Sequence, residues 1–272
     1  MSCIIPARLE VEDPDPGLLP GQKVGRNHVP TRIDSMARFD RLVRLIGKQG
    51  LSRLADSSVA VFGLGGVGSF AAEGLVRGGI GHLTLVDHDL VEISNFNRQI
   101  EALEGTLGQP KAVVMAARCH AINPAVHTEP FQVRYGADTA EGLLNQPFDY
   151  VLDCIDQVTA KLHLIESCLQ RQLPIISSMG AANKLDPTGI QIADLFETSR
   201  CGLARIMRKE LRRRGITRGV TVVYSTAPTT MNDRDCCADR ATPLGSSSIV
   251  PPLFGLTMAG KVIQILLAKE NP

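Results

Sequence analysis

One stretch, residues 59–89, constrains the fold more than any other part of the chain. It reads as an apolar strand at 59–62, a glycine turn made by Gly63, Gly65, Gly66 and Gly68, and a helical run at 69–77. Gly78, Gly79 and Gly81 stop that helix, and a second apolar strand at 83–86 runs out onto Asp87 and Asp89. A strand, a glycine turn, a helix and a second strand in this order make a nucleotide-binding βαβ unit. Glycines at the turn let the backbone pass close to a phosphate, whose charge is then met by free amides and by the positive end of the helix.

The rest of the chain supplies the sheet that such a unit needs. Helical spacing returns at 110–122, with Pro110 acceptable in the first turn, and again at 159–171. Strand patterns lie at 127–133, at 148–155, where nearly continuous apolar residues mark a buried strand, and at 174–177. Strands and helices alternating in this way predict an α/β fold: a Rossmann-like, doubly wound, mainly parallel sheet with helices on both faces. Past Gly180 the rhythm loosens into a strand at 191–195, a basic helix at 203–214, a strong strand at 220–224 and a closing helix from about residue 255. Phe39, Leu42, Val43 and Ile46 form a helical lead-in that breaks at Gly47 and Gly50. Residues 1–33 carry five prolines and no apolar period, which reads as a disordered N-terminal extension ahead of one domain at 34–272.

With a net charge of +1 over 272 residues, the chain is not a globally basic nucleic-acid protein, and any cationic surface has to be local. Seven cysteines without regular spacing, and an N-terminus without a basic-then-apolar leader, predict free thiols in a reducing cytoplasm. The most apolar window, 249–268, contains Pro251, Pro252, Gly255, Gly260 and Lys261, and reads as a packed helix in preference to a membrane span.

The glycines and Asp87, whose place at the end of the second strand suits a ribose hydroxyl, leave a dinucleotide and ATP equally open. The residues beyond them discriminate. Asp89 and the run containing Asn95, Asn97, Arg98 and Gln99 place a second acid, amides and a guanidinium just past the ribose position, and Lys111 opens the next helix. A dehydrogenase has no use for these groups, whereas nucleotidyl transfer needs cations around a triphosphate to stabilise the charge that develops as pyrophosphate leaves. A solvated loop and an exposed lysine are the plainer reading of each feature alone, and their order after the glycine turn argues against it. At the end of the fourth strand, Asp153 and Asp156 are two hard carboxylates that suit Mg²⁺ bound with phosphates, although Asp156 can equally cap the following helix.

Together the glycine turn, the paired acids, the NxNRQ run at 95–99, the lysine and the DCID run at 153–156 resemble the ThiF/MoeB family of ubiquitin-activating-type adenylating enzymes. The resemblance implies that Gly65, Asp87 and Asn97 hold ATP, that Arg98 and Lys111 stabilise its triphosphate, and that Asp156 binds Mg²⁺. It implies a reaction in which a substrate carboxylate attacks the α-phosphate, giving an acyl-adenylate and pyrophosphate. The lead-in at 38–42 is similar to the family segment whose arginine reaches the ATP of a neighbouring subunit, which implies a homodimer and a role for Arg41. The two CxxC pairs that hold zinc in the family's sulfur-carrier activators are absent. Runs at 38–47, 95–103, 108–124 and 186–195 instead resemble the tRNA threonylcarbamoyladenosine dehydratase branch. That branch implies activation of the threonyl carboxylate on a modified adenosine. The neighbouring carbamoyl group then closes a ring, with AMP as leaving group and net loss of water. Because the attacking group is already tethered, the enzyme's contribution is positioning and charge stabilisation.

A tRNA substrate calls for cations, and the run at 200–218 supplies Arg205, Arg208, Lys209, Arg212, Arg213 and Arg214, opposed only by Glu210. Positions 205, 208, 209 and 212 share one helical stripe. Such runs are usually solvated faces, yet in a chain of near-zero net charge the concentration points to phosphate contacts, with tRNA-facing elements in about 180–245. Cys236 and Cys237 are similar to the loop cysteine by which relatives accept sulfur from a cysteine-desulfurase partner, the plainer alternative being idle thiols. The competing functions are activation of a ubiquitin-like sulfur carrier, an NAD(P)-binding oxidoreductase, and a non-catalytic sulfur-relay scaffold.

Overall fold

Alternation within β1 (Ser58–Phe62) sets the layering of the molecule. Val59 and Val61 point to one face of the sheet and Ala60 and Phe62 to the other, and all four are fully buried. A strand buried on both faces has to lie centrally, with helices above and below. The computed structural model describes residues 35–230 and 244–268. The extension expected at 1–33 and the cysteines Cys236 and Cys237 lie outside the described residues.

A short helix α1 (Ser35–Arg38) and α2 (Asp40–Ala55) precede β1; α3 (Gly68–Arg77), β2 (His82–Val86), α4 (Lys111–Ile122) and β3 (His127–Phe131) follow it. Next come α5 (Ala140–Leu144), β4 (Tyr150–Asp153), α6 (Val158–Gln170) and β5 (Ile175–Ser178). The last part holds β6 (Ile190–Asp194), α7 (Gly202–Arg213), β7 (Thr221–Ser225) and α8 (Val250–Ala268). The strands form one sheet in the order β3-β2-β1-β4-β5-β7-β6, parallel except where β6 runs antiparallel to β7.

One core gathers Val59 and Val61 with Leu75, Met115 and Phe254 from α3, α4 and α8. The other gathers Ala60 and Phe62 with Leu144, Leu164 and Met207 from α5, α6 and α7. These are the two helical layers of a doubly wound fold. The chain lays β2 and then β3 outward on one side of β1 and returns to place β4 on the other, so the strand order reverses between β1 and β4. Beyond the carboxyl ends of those two strands a crevice necessarily opens.

The lead-in helix bends at Gly47 (φ +74°), as the glycines predict, and continues through Gly50. The closing helix differs from expectation. It starts at Val250, so Pro251 and Pro252 occupy its first turn, where backbone N–H groups have no intrahelical partner to lose. By length and composition α8 is the one helix among the described residues able to cross a membrane; half of its apolar window is buried, and it lies along α3.

Candidate nucleotide-binding site

Gly63 ends β1 with φ +86°, a backbone conformation that side chains rarely adopt, and a Cβ there would lie 2.9 Å from the Cys154 carbonyl. Gly68 is held more tightly, because its Cβ would lie 1.7 Å from the Gly63 carbonyl oxygen. The turn between them leads directly into α3, where the Ser69 and Ala71 amides donate back to the carbonyls of Gly65 and Val67. Asp87, at the end of β2, pins this turn. One of its carboxylate oxygens accepts the Leu64 N–H at 2.6 Å and the other accepts the Asp89 N–H at 2.8 Å. A carboxylate has about four lone-pair sites, so the buried Asp87 can hold the turn and still accept from a ribose.

The crevice is a cleft of about 670 Å³ whose walls include Gly63, Gly65, Gly66, Asp87, Asp89, Asn95, Arg98, Gln99, Lys111 and Asp156. That volume suits a nucleotide. Lys111 opens α4 directly after Pro110, and an isolated antiparallel bridge between Leu90 and Pro110 brings it against the end of β2. Its backbone N–H donates to the Asp89 carbonyl, and its Nζ lies 3.1 Å from the Asp89 carboxylate; the residue is only 5% exposed. Arg98 donates through Nη1 to the Ser94 carbonyl and to Asn97 Oδ1, both at 2.8 Å, and no acid among the described residues pairs with it. Most of its donor fork is therefore available to an anion.

The amides divide between wall and scaffold. Asn95 is buried on the cleft wall, and its Oδ1 accepts the Glu92 N–H at 3.0 Å, closing a 3-10 turn. Asn97 is not on the wall; its Nδ2 donates to the Ser246 carbonyl at 3.0 Å while its Oδ1 orients Arg98. Gln99 is on the wall and buried, with an Oε1 that has no partner.

The two aspartates after β4 separate. Asp156 stands exposed on the cleft wall, and α6 begins behind Gln157 without any side-chain cap, so the carboxylate is not used for capping. As a hard oxygen donor with no partner among the described residues, it fits a magnesium ion bound together with phosphates. Asp153 corrects the expectation that it faces the ligand. It is wholly buried beneath the cleft, 2.8 Å from Lys161 Nζ, and it accepts from the Ser177 hydroxyl at 2.6 Å and the Ile155 N–H at 3.2 Å. As the last residue of β4 it shares the face of Val151, which packs against α6, the helix that carries Lys161.

Arg41 is exposed on α2 and does not line the cleft of its own chain. The basic helix α7 buries Ala204, Met207 and Leu211 and begins at the cleft rim, where Leu203 lines the wall. Its charges are less free than the sequence suggests. Arg208 donates to the carbonyls of Leu195 and Thr198 and to the Thr198 hydroxyl, and the Arg212 guanidinium lies 5.4 Å from the centre of the Phe196 ring. Arg213 pairs with Glu210 at 2.8 Å and Arg214 with Glu166 of α6 at 2.6 Å. Arg205 and Lys209, one turn apart, are exposed and pair with no acid among the described residues.

Sequence reasoning missed Arg134 and Tyr135, which follow β3 and line the cleft, and Glu101, which is buried and interacts electrostatically with Lys111. Nothing local marks them. Cys154 also lines the cleft, but burial and the neighbouring Asp153 raise its pKa; Cys119 and Cys168 are pushed up to about 12, chiefly by burial. These three thiols stay protonated and are poor nucleophiles.

A match to the ThiF family extends over residues 39–272. The chain belongs to the ThiF family. Among its relatives, the tRNA threonylcarbamoyladenosine dehydratase of Bacillus subtilis is 44% identical over 240 residues, covering 85% of this chain and 94% of that protein. The crystal structure of the Escherichia coli tRNA N6-threonylcarbamoyladenosine dehydratase in complex with ATP superposes with a TM-score of 0.79 at 34% identity, over 86% of this chain and 95% of the other. The family's sulfur-transferring members match over less. The Danio rerio adenylyltransferase and sulfurtransferase MOCS3 is 35% identical over 147 residues, 53% of this chain and 32% of its own. The sheet, the helical layers and the seat at the strand reversal are thus those of a ThiF-family adenylating domain.

Proposed function

We propose that this ThiF-family protein is an ATP-dependent tRNA threonylcarbamoyladenosine dehydratase. The observation that carries the proposal is the match along 94% of a dehydratase at 44% identity, since the nucleotide seat alone is common to the whole family. The glycine-turn amides and the N-terminus of α3 take the phosphates, and Asp87 holds that turn in place and takes the ribose. Arg98 and Lys111 stabilise the charge that develops as the substrate's threonyl carboxylate displaces pyrophosphate from the α-phosphate. The carbamoyl group then attacks the activated carbonyl, AMP leaves, and the cyclic nucleoside has lost one water. Asp156 would hold Mg²⁺, which neutralises phosphate charge when bound.

The tRNA approaches over α7, whose first turn forms part of the cleft rim, with Arg205 and Lys209 as phosphate contacts. A cytoplasmic homodimer, with Arg41 serving the neighbouring subunit, and sulfur exchange with a cysteine-desulfurase partner through Cys236 or Cys237 belong to the same proposal. Activation of a sulfur carrier is disfavoured by the missing CxxC pairs and by the short match to the sulfurtransferase relative.

The direct test is nucleoside mass spectrometry of threonylcarbamoyladenosine-bearing tRNA incubated with the protein, ATP and Mg²⁺. Loss of one water is the expected result. An unchanged nucleoside, with pyrophosphate exchange stimulated by a carrier protein ending in Gly-Gly, would establish the alternative.

A further inference from the structure

Two residues beyond Gln99, the Glu101 side chain is buried at 1% exposure, and neither of its carboxyl oxygens makes a hydrogen bond of acceptable geometry. The Gln99 Oε1 on the same segment is likewise buried without a partner. When Glu101 is ionised, its oxygens are acceptors with only the Ser69 hydroxyl and the residue's own backbone N–H near them, so much of the desolvation cost of burial is left uncompensated. The groups facing Glu101 are Lys111 from α4, Asp87 from the end of β2, and the Ser69 hydroxyl at the first turn of α3. Lys111 therefore interacts with two carboxylates, Asp89 at 3.1 Å on the cleft wall and the buried Glu101. Burial pushes the Glu101 carboxyl up to about 7, with its own backbone N–H, Lys111 and Ser69 opposing the rise and Asp87 adding to it.

Lys111 is also the cation assigned above to the phosphates, and one ammonium cannot fully compensate both a buried carboxylate and a polyphosphate. We propose that Glu101 is a positioning residue for the nucleotide: it faces Lys111 as a carboxylate in the free protein and takes one proton from the buffer when the phosphate chain of ATP engages Lys111. The proposal rests on the ATP reading of the cleft. As a neutral acid, Glu101 gives up its claim on the ammonium and brings an O–H donor to a region whose unpartnered atoms are acceptors. Proton binding and nucleotide binding are then linked and, by reciprocity, ATP affinity falls as pH rises past about 7.

The test is calorimetric titration of the full chain with a non-hydrolysable ATP analogue and Mg²⁺ at about pH 8, in two buffers of different ionisation enthalpy. The wild type is expected to take up close to one proton more than Glu101→Gln, a difference that removes the nucleotide's own ionisation. The Gln variant is expected to bind with an affinity nearly independent of pH. A purely structural role for Glu101 would alter stability and leave the proton count alone. Equal proton uptake in the two proteins overturns the proposal and leaves the ATP reading standing; no binding by the wild type overturns both. Should the variant fail to fold, wild-type affinity that changes no more from pH 7 to 9 than the analogue's own ionisation predicts overturns the proposal.

Discussion

Replacing Lys161 by methionine should destabilise the protein by about 3–5 kcal/mol, the range found when one member of a buried ion pair is removed. Both side chains of the Lys161–Asp153 pair are fully buried, 2.8 Å apart, and Lys161 also donates to the Ser177 hydroxyl at 3.2 Å. Methionine keeps most of the lysine stem, so little of the loss comes from a cavity. What remains is the Asp153 charge, held only by the Ser177 hydroxyl and the Ile155 N–H. At roughly 2–4 °C per kcal/mol for a domain of this size, the Tm should fall by about 6–20 °C. Urea unfolding at neutral pH gives the free energy directly, and an unchanged slope would assign the effect to the native state. The decisive comparison is Lys161→Met combined with Asp153→Asn, which removes the stranded charge and keeps a partner for Ser177. The double variant should recover most of the lost stability. If it is as unstable as Lys161→Met alone, or if the single variant costs under about 1 kcal/mol, the uncompensated-charge argument fails. Because Asp156, on the cleft wall, is suspended three residues beyond Asp153, loss of nucleotide binding should accompany the loss of stability.

Arg98→Ala and Lys111→Ala should each lower the rate of ATP–pyrophosphate exchange by roughly 10²–10³-fold, the usual cost of removing a donor aimed at developing charge. The Arg98 variant should unfold like the wild type, because among the described residues that guanidinium bonds only to its own segment; wild-type exchange in both variants would refute the site assignment. Arg205→Glu with Lys209→Glu should weaken tRNA binding and flatten its salt dependence by roughly one to two counterions while leaving ATP binding intact, as read by filter binding across a salt series. Glu101 also makes a stability prediction. Its folded pKa, about 7, lies above the ordinary 4.5, so the folded state holds a proton that the unfolded chain releases. Stability should therefore be complete below the lower value and decline as pH rises to the upper one, by roughly 3 kcal/mol in all. Glu101→Gln should remove that decline, measured as the denaturation midpoint against pH.

Local signals made much of the site legible. The strand, glycine turn, helix and second strand follow one another within a short span, and Gly68 is required by its contact with the Gly63 carbonyl five residues before it, although the contact that requires Gly63 comes from Cys154 in a distant segment. Lys111 was legible as a candidate from its order after the glycine turn, and the fold sets its Nζ 3.1 Å from the Asp89 carboxylate on the cleft wall. Asp153 and Asp156 look alike in the sequence, and only strand parity together with Lys161 on a packed helix separates the buried one from the one facing the cleft. The basic run at 200–218 looks like free cations until Thr198 and Glu166 arrive from other elements to occupy Arg208 and Arg214.

What the sequence alone determined was therefore the set of elements, the class of sheet and the chemical groups carried to one end of it. Periodicity and turn chemistry act between near neighbours, and the chain states them directly. The tertiary structure alone decided which of those groups lost their water and which partner each met: Lys161 for Asp153, Asp89 and Glu101 for Lys111, and no acid for Arg205 and Lys209 among the described residues. Desolvation depends on packing between segments far apart in sequence, and even Asp153 and Lys161, eight residues apart, are buried together only by that packing.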